Sequence, residues 1–433
     1  MQWSLYLNYS SIFMFLILTN SALANDTSDW TVGINCQRTQ TLAEPLNLRI
    51  LKLIVDPQLS DGRTARQASG QLDIQQEFNE QKEFFERASC NRLNINSVGE
   101  IRVNYFPVKQ DGFQYSSQSW LDVMSGRRQP HPEDKLNYDK LIAEQQLCSH
   151  ANRLNADEFW VYSAPWVGFY ESAQISGPNT AEGFVVNGPV FRSNCNKLTS
   201  LGIAGGHTFG HRAEATLSHV FGGWKASGIS HHWDGFGLNK AQAPNYASVG
   251  CGSIHYAPNS TCAPGINLAI CQGRDDDYEY NLTNTQYSFC DSFLNYPNIN
   301  FSDGRWISCV DWGCNAKGHE AWWWNHLPMY RGVQANGLLN DWWRYVFDPS
   351  MASRHKGLGS SSLSSSPPNN PSPAPIKPAP PPRHTNPAPI SGQDCKSYSH
   401  WGKDCKSSQC IWSCWNRGAE PPVCLIKGTA QSC

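Results

Sequence analysis

The order of apolar segments between Leu46 and Trp224 limits the possible folds of this chain more than any other sequence feature. The predicted elements are, in order, the strand Leu46–Val55, the helix Gln71–Arg87, the strand Gly99–Tyr105, the helix Tyr138–Leu154, the strands Glu158–Tyr162 and Leu198–Ala204, and a helix within Gly205–Trp224. Strands that alternate with helices predict an α/β fold with a largely parallel sheet flanked by helices.

The carboxyl ends of these strands predict where a site would lie. Open parallel sheets bind ligands outside the carboxyl ends of their strands. Asp56 follows the first strand, Pro165–Ser172 follows the third and contains Glu171, and Gly205–His211 follows the fourth. We therefore expect these three segments to meet along one rim of the sheet.

The helix within Gly205–Trp224 carries the strongest functional signal. His207, His211 and Glu214 occupy positions i, i+4 and i+7, which share one helical face. A neighbouring face is apolar and is predicted to be buried; it consists of Phe209, Ala213, Leu217 and Val220. Groups able to bind a metal or transfer protons thus line up beside a core-facing stripe.

A divalent metal, zinc or calcium, is one interpretation of this face. Two histidines at i and i+4 can bind one ion, and Glu214 could be the third ligand or a general base. The zincin motif H-E-x-x-H is absent, because Thr208 stands where its glutamate belongs. The alternative is a buried, purely structural polar face, with the His and Glu side chains bonded to the backbone and Arg212 pairing outward.

Glu171 is the next candidate, in the segment GFYES. Its aromatic neighbours would desolvate the carboxylate and raise its pKa towards acid–base use. With Glu214 it could form the two facing carboxylates that glycoside hydrolysis needs. The predicted catalytic set is therefore Glu171, His211 and Glu214, and the alternative for Glu171 is an ion pair with an arginine at a strand end.

Two further clusters could bind metal. His231, His232 and Asp234 could add a ligand from a loop, and the acidic run Asp275–Asp277 with Glu279 could bind calcium through oxygen. The acidic run lacks the EF-hand spacing, and acidic runs are usually just solvated. No P-loop, dinucleotide fingerprint or G-x-S-x-G motif occurs.

Ser230–Asp348 loses regular periodicity and is rich in Gly, Asn, Cys and Trp. This composition predicts an irregular, disulfide-rich layer packed on the sheet. The tryptophan clusters Trp322–Trp324 and Trp342–Trp343 are too dense for one face of a helix. They are predicted to be buried against the disulfides, with a sugar-stacking platform as the alternative.

The termini predict export. Residues 1–24 are typical of a signal peptide, because the short apolar run Ile12–Leu18 precedes the small-residue site Ala22-Leu23-Ala24. The run is shorter than the ~20 residues of a membrane span, so no membrane span is predicted.

The cysteines also indicate export. Of 16 cysteines, ten precede residue 357 and six follow residue 393. Both counts are even, so we expect disulfides within each part of a secreted, extracellular protein, with the pairing left open. In a eukaryotic host, glycan acceptors would be Asn25, Asn259, Asn281 and Asn300.

The domain prediction is a secreted α/β body over 25–356, a Ser/Pro-rich linker over 357–393 and a six-cysteine binding module over 394–433. A unit as small as the module needs disulfides, because its core is thin. Its tryptophans, Trp401, Trp412 and Trp415, favour an extracellular glycan as partner, with a cell-surface ligand next. The net charge of −2, without a basic stripe, disfavours nucleic acid.

Three stretches of the body resemble a group of secreted proteins without an assigned activity: ADEFWVYSAPWVGFYES, FGHRAEATLSHVFG and NGLLNDWWRYVFDP. The resemblance does not extend to the tail, and it implies no role for any residue. It favours treating Glu171, His211 and Glu214 as a linked set.

These features predict a secreted protein, with a body that is a hydrolase acting on a glycan or peptide through a Glu/His cleft at the sheet rim. The module would tether it to its ligand. The alternative is a non-catalytic protein that binds carbohydrate or a cell surface, and a third possibility is a disulfide-rich effector acting on a host or competitor.

Overall fold

The computed structural model describes residues 30–224, 228–260 and 285–361, and the backbone of residues 423–426 and 429–432. The chain divides into two compact units, Met1–Pro371 and Ser372–Cys433. In the second unit, the described backbone forms two antiparallel strands, Val423–Ile426 and Thr429–Ser432. The predicted signal peptide, nearly all of the linker and the side chains of the cysteine module lie outside the described residues.

The first unit contains a six-stranded sheet. Its strands are β1 (Leu46–Val55), β2 (Leu93–Val103), β3 (Glu158–Ser163), β4 (Ser172–Ser176), β5 (Val190–Arg192) and β6 (Thr199–Ile203). The spatial order is β2-β1-β3-β6-β4-β5. All neighbours are parallel except β4 and β6. The mostly parallel sheet that the sequence predicts is confirmed.

Helices cover both faces of this sheet. They are α1 (Ala65–Ala68), α2 (Ile74–Ala88), α3 (Ser117–Met124), α4 (Tyr138–Glu144), α5 (Leu147–Leu154) and α6 (Gly206–Phe221). On β1, Ile50 and Ile54 pack with α2 and α6, whereas Leu51 and Leu53 pack with α3, α4 and α5. Burial on both faces explains why β1 is a nearly continuous apolar run.

Several local predictions differ from the structure. The strand predicted over Gly99–Tyr105 begins six residues earlier, as β2, and the short helices α1 and α3 were not predicted. The single helix predicted over Tyr138–Leu154 is divided into α4 and α5, because Gln146 adopts a left-handed conformation with φ 48°. The strands β4 and β5 were not predicted, since five and three residues carry little periodicity. The strand β4 brings Glu171 to the rim, because it runs antiparallel to β6 and pairs Ser172 with Gly202.

The layer after Ser230 is more regular than its composition predicts. It contains α7 (His232–Gly237), β7 (Gln286–Ser288), β8 (Arg305–Ile307), α8 (Ala316–His326), β9 (Met329–Val333), β10 (Leu339–Asp341), α9 (Trp342–Phe347) and α10 (Pro349–Arg354). Three short 3₁₀ helices span Cys290–Asn295, Cys309–Trp312 and Leu358–Ser361. Antiparallel pairs join β7 to β8 and β9 to β10.

The tryptophan clusters are buried. Trp322–Trp324 lie on α8 and Trp342–Trp343 on α9, and none of the five exposes more than 1% of its surface. A sugar-stacking platform at these positions is therefore wrong. The density of tryptophan on α8 has a physical reason, since a helix surrounded by protein needs apolar residues on every face.

Disulfides tie this unit together. Four bonds join Cys36 to Cys90, Cys148 to Cys195, Cys251 to Cys290, and Cys309 to Cys314. Cys262 and Cys271 lie outside the described residues. Disulfides persist in oxidising compartments, so these bonds agree with the predicted export. Among the described residues, no helix is both long and apolar enough to cross a membrane.

The predicted glycan acceptors differ in accessibility. Asn259 is buried, with 1% of its surface exposed, whereas Asn300 is exposed. A glycan therefore does not fit on Asn259 in the folded protein. Asn25 and Asn281 lie outside the described residues.

A buried ion pair fastens α6 to the sheet. The Arg212 guanidinium donates to the Glu158 carboxylate at the start of β3, and both side chains are almost fully buried. The rings of Phe209 and Phe347 lie 4.0 Å and 5.0 Å from the guanidinium carbon. The alternative in which Arg212 pairs outward is wrong, because this residue lies on the side of α6 that packs on the sheet.

Replacing Arg212 tests this ion pair. We expect Arg212→Leu to lower the free energy of unfolding by about 3–5 kcal/mol, because Glu158 is left as a buried, unpaired carboxylate. The matched control is Arg87→Leu, which removes an exposed pair with Glu83 and is expected to cost about 0.3–0.5 kcal/mol. Urea denaturation measures both, and equal losses would contradict the assignment.

Candidate functional site

The site begins where β6 passes into α6. Thr208 fixes this junction, since its hydroxyl donates to the carbonyl oxygens of Ile203 (2.7 Å) and Gly205 (3.1 Å). The threonine that replaces the zincin glutamate therefore has a structural role. His207 lies in the first turn of α6 at the carboxyl end of β6, and His211 lies one turn later.

A third histidine, His255, completes a cluster with His207 and His211. The ring centroid of His255 lies 4.5 Å from those of both other rings, which are 5.0 Å apart. One nitrogen from each ring lies within 4.8 Å of the other two. Three imidazoles on a tetrahedral zinc ion have nitrogens about 3.3 Å apart, so little movement is needed to bind one. All three residues are half-buried, which leaves the cluster open to solvent.

Two glycines allow the cluster to form. A Cβ on Gly210 would lie 2.3 Å from Cγ1 of Ile254, so the absence of a side chain lets the His255 loop rest on α6. A Cβ on Gly206 would lie 2.7 Å from Oε2 of Glu320 and from the Phe84 ring. Gly206 thus lets α8 approach the first turn of α6.

Glu214 joins the two segments that carry the histidines. Its Oε2 lies 3.0 Å from Nδ1 of His211, and its Oε1 accepts the backbone N–H of Ile254 at 2.9 Å. The Nδ1 proton of His211 is directed at this carboxylate, which leaves Nε2 for a ligand. A carboxylate behind an imidazole is the usual surrounding of a metal-binding histidine.

Helix α8 bonds to both segments that carry the histidines. Trp324 donates its indole N–H to the Gly206 carbonyl (2.9 Å), and Trp323 donates to the Gly252 carbonyl (3.1 Å). These two bonds fix the start of α6 and the loop that carries His255. Glu320 of α8 lies with Oε1 3.5 Å from Nδ1 of His207, so a second imidazole also has a carboxylate beside it.

The cluster perturbs its own pKa values. Burial alone would lower the pKa of His211, but the hydrogen bond and charge of Glu214, together with the charges of Glu171 and Glu320, outweigh it and raise that pKa to about 9. Burial, and then the charges of His211, His207 and His319, hold the pKa of His255 well below its usual range. His255 is therefore neutral at pH 7, which is the form that binds a metal, whereas His211 is protonated at pH 7 and would release its Nε2 proton on binding a metal.

A fourth histidine, His319 of α8, is fully buried next to this cluster. Burial, followed by the charge of His207, lowers the pKa of His319 to about 3. Its ring packs against Trp312 and Trp322. His319 is therefore a neutral imidazole next to the cluster.

The structure brings the predicted catalytic set to one rim. Glu171 is half-buried at the carboxyl end of β6, where its carbonyl accepts the N–H of Ile203 at 3.0 Å. Its charge acts on His211, and its carboxylate accepts a hydrogen bond from the Asn187 side chain. The sequence left open an ion pair between Glu171 and an arginine. In the structure the side-chain amide of Asn187 is the partner of Glu171 instead. Glu214, predicted as a metal ligand, lies behind His211 and outside the three-histidine group.

The other predicted groups lie elsewhere or have structural partners. Asp56 accepts the N–H of Arg66 at 2.9 Å. His231 accepts the N–H of Asp234 in the first turn of α7, and Nδ1 of His232 lies 3.4 Å from the hydroxyl of Tyr296. Within the described residues, His207, His211 and His255 are the one group with metal-binding geometry. Asp275–Asp277 and Glu279 lie outside the described residues.

Sequence reasoning did not identify His255, Glu320 or His319 as part of the site. His255 lies in an irregular loop, and no periodicity relates it to α6. The incomplete set on α6 was the available signal, since two imidazoles at i and i+4 need ligands from elsewhere in the chain. No protein-family model, curated protein or solved structure matches this chain.

Gly210→Ala tests the close contact between α6 and the His255 loop. We expect it to lower the free energy of unfolding by about 1–3 kcal/mol through overpacking against Ile254, even though alanine favours the helix by about 1 kcal/mol. In an Ile254→Gly background, which also removes the Ile254 Cβ that would lie 2.9 Å from the new methyl group, the same change should become neutral or stabilising. Gly228→Ala is the control, because its Cβ meets Tyr246 at an ordinary 3.5 Å. A loss that persists without the Ile254 side chain would contradict the contact.

Proposed function

We propose that the body is a metal-dependent hydrolase whose ion, zinc, is bound by His207, His211 and His255. The observation that carries this proposal is the meeting of three half-buried imidazoles at the carboxyl rim of the sheet, with Glu214 on Nδ1 of His211. Three protein ligands leave a fourth coordination position open, which is typical of catalytic rather than structural zinc.

The donor set favours zinc over calcium. Calcium takes six to eight oxygen ligands, whereas this cluster offers three nitrogens. Glu214 and Glu320 lie beside ring nitrogens, so they support the imidazoles instead of replacing them. When bound, zinc would supply Lewis acidity to a water molecule and to the group under attack.

The chain's own residues have separate roles in this proposal. Glu214 orients the His211 ring and keeps the proton of that ring on Nδ1. Glu171 is the candidate for the group that accepts a proton from water and returns it to the leaving group, because it is half-buried at the same rim and Asn187 fixes its carboxylate. A pair of catalytic carboxylates is less well supported, since both oxygens of Glu214 already have partners.

The wider architecture favours work outside the cell. The disulfides suit an oxidising compartment, and the predicted six-cysteine module would hold the enzyme on an extracellular glycan or a cell-surface ligand. The scissile bond in this proposal belongs to a glycan or a peptide. Non-catalytic binding remains the competing function, and the activity experiment below separates the two.

Metal uptake tests the site. We expect the purified protein to bind one zinc ion, measured by calorimetry and by elemental analysis. Alanine at His207, His211 or His255 should weaken binding at least about 100-fold, because a ligand is lost, and Glu214→Gln about 10- to 100-fold. His131→Ala and His150→Ala, which change histidines outside the cluster, are the controls. Unchanged affinity in the three ligand variants would refute the site.

Hydrolysis tests the catalytic claim. The zinc-loaded protein is assayed on panels of polysaccharides and peptides, before and after chelation. Glu171→Gln should lower kcat by about 10²- to 10⁴-fold, the usual contribution of a general acid or base, while zinc stoichiometry stays at one. Retained binding of a glycan by a zinc-loaded but inert protein would favour the non-catalytic function.

A further inference from the structure

We infer that the substrate of this rim carries a primary ammonium group beside the bond that is cleaved. This inference rests on the proposed function and adds the substrate class to it. It is carried by two half-buried carboxylates, Glu171 and Glu320, that flank the histidine cluster and have acceptor capacity that the protein does not use.

The contacts of the two carboxylates show this unused capacity. In the described part of the chain, Glu171 receives one side-chain hydrogen bond, from Asn187 to Oε2. Over the same residues, the partner of Glu320 is Nδ1 of His207, which lies 3.5 Å from Oε1. A carboxylate offers about four lone-pair sites, so each group can accept further donors. Half-buried acceptors without donors are normally satisfied by water or by a ligand.

The charged groups around the cluster give an anionic ligand no net advantage. Glu171, Glu214 and Glu320 all act on His211, so three negative charges lie close to the cluster. The two charges of a zinc ion, a positive partial charge of about one half at the start of α6 and the nearby Lys135 roughly offset these three charges. One cation of this rim, Lys135, lies over the Tyr170 ring, 5.9 Å from its centroid. A phosphate or sulfate ester could contact the zinc ion but would also meet the Glu171 and Glu320 carboxylates, whereas an ammonium group would be attracted by them.

An ammonium group can donate hydrogen bonds to the free acceptor sites of Glu171 and Glu320. It presents three N–H donors, and its charge-assisted bonds to carboxylates are roughly twice as strong as neutral ones. Two sources share this chemistry, the free amine of an amino sugar and the amino terminus of a peptide. Both place the charge next to a bond that a hydrolase can cleave.

The experiment compares matched probes on the zinc-loaded full chain at neutral pH, by calorimetry. The pairs are glucosamine disaccharide against its N-acetylated form, and dialanine against N-acetyl-dialanine. We expect the free amine to bind about tenfold or more tightly than the acetylated form in one of the two pairs, which identifies the source. Glu320→Gln and Glu171→Gln, each checked for full zinc occupancy, should each remove most of this preference. Glu83→Gln, on the exposed surface of α2, should leave it unchanged.

Other outcomes overturn the inference in distinguishable ways. Equal affinity for free and acetylated probes, or a preference that survives both substitutions, removes the ammonium site and leaves the zinc hydrolase intact. A second zinc equivalent that either substitution abolishes would assign the two carboxylates to a second metal ion. Failure to bind any zinc would remove the proposed function and this inference together.

Discussion

The site depends on a single carboxylate that holds two distant segments together. Glu214 contacts the His211 ring with one oxygen and the backbone of Ile254 with the other. The first contact orients the imidazole of His211 on α6. The second contact positions the loop at Ile254, the residue that immediately precedes His255. Because both bonds end on one carboxylate, the two histidines are fixed relative to each other. A half-buried position strengthens these bonds relative to the same bonds in water.

This arrangement needs support from the layer beneath it. Helix α8 supplies that support through two indole N–H groups, one on Gly206 and one on Gly252, while the tryptophan rings fill the space between the layers. The buried tryptophans are therefore not a ligand surface. They hold the start of α6 and the His255 loop at a fixed spacing, and the Cys251–Cys290 disulfide ties down the same loop. Preorganisation of this kind lowers the cost of bringing three imidazoles onto one ion.

Much of the fold was predictable because its signals are local. β1, β3 and β6 are apolar runs bounded by turn residues, and α2 and α6 show helical spacing, so their order predicts a parallel sheet. The four residues predicted to form the buried face of α6 are fully buried; they are Phe209, Ala213, Leu217 and Val220. The rim position of Glu171 and His211 followed from the same topology. The division between α4 and α5 was not predictable from spacing, because it depends on one backbone conformation at Gln146.

The rest of the site depends on contacts that are distant in sequence. His255 reaches α6 because Gly210 leaves room for Ile254, and Glu320 reaches His207 because Gly206 leaves room for α8. Neither contact has a periodic signature. Glu214 was recognised as important, but its role changed from ligand to support once the loop was in place. Arg212 shows the same limit, since its buried partner Glu158 lies on a separate strand.

The central claim is that three imidazoles from two segments bind one zinc ion with an open fourth position. X-ray absorption spectroscopy of the zinc-loaded protein tests it most directly. The account predicts a four-coordinate zinc with three imidazole nitrogens and one oxygen at about 2.0–2.1 Å, and the loss of one imidazole in His255→Ala. A sulfur shell, a shell of six oxygens, or an imidazole count that His255→Ala leaves unchanged would contradict it.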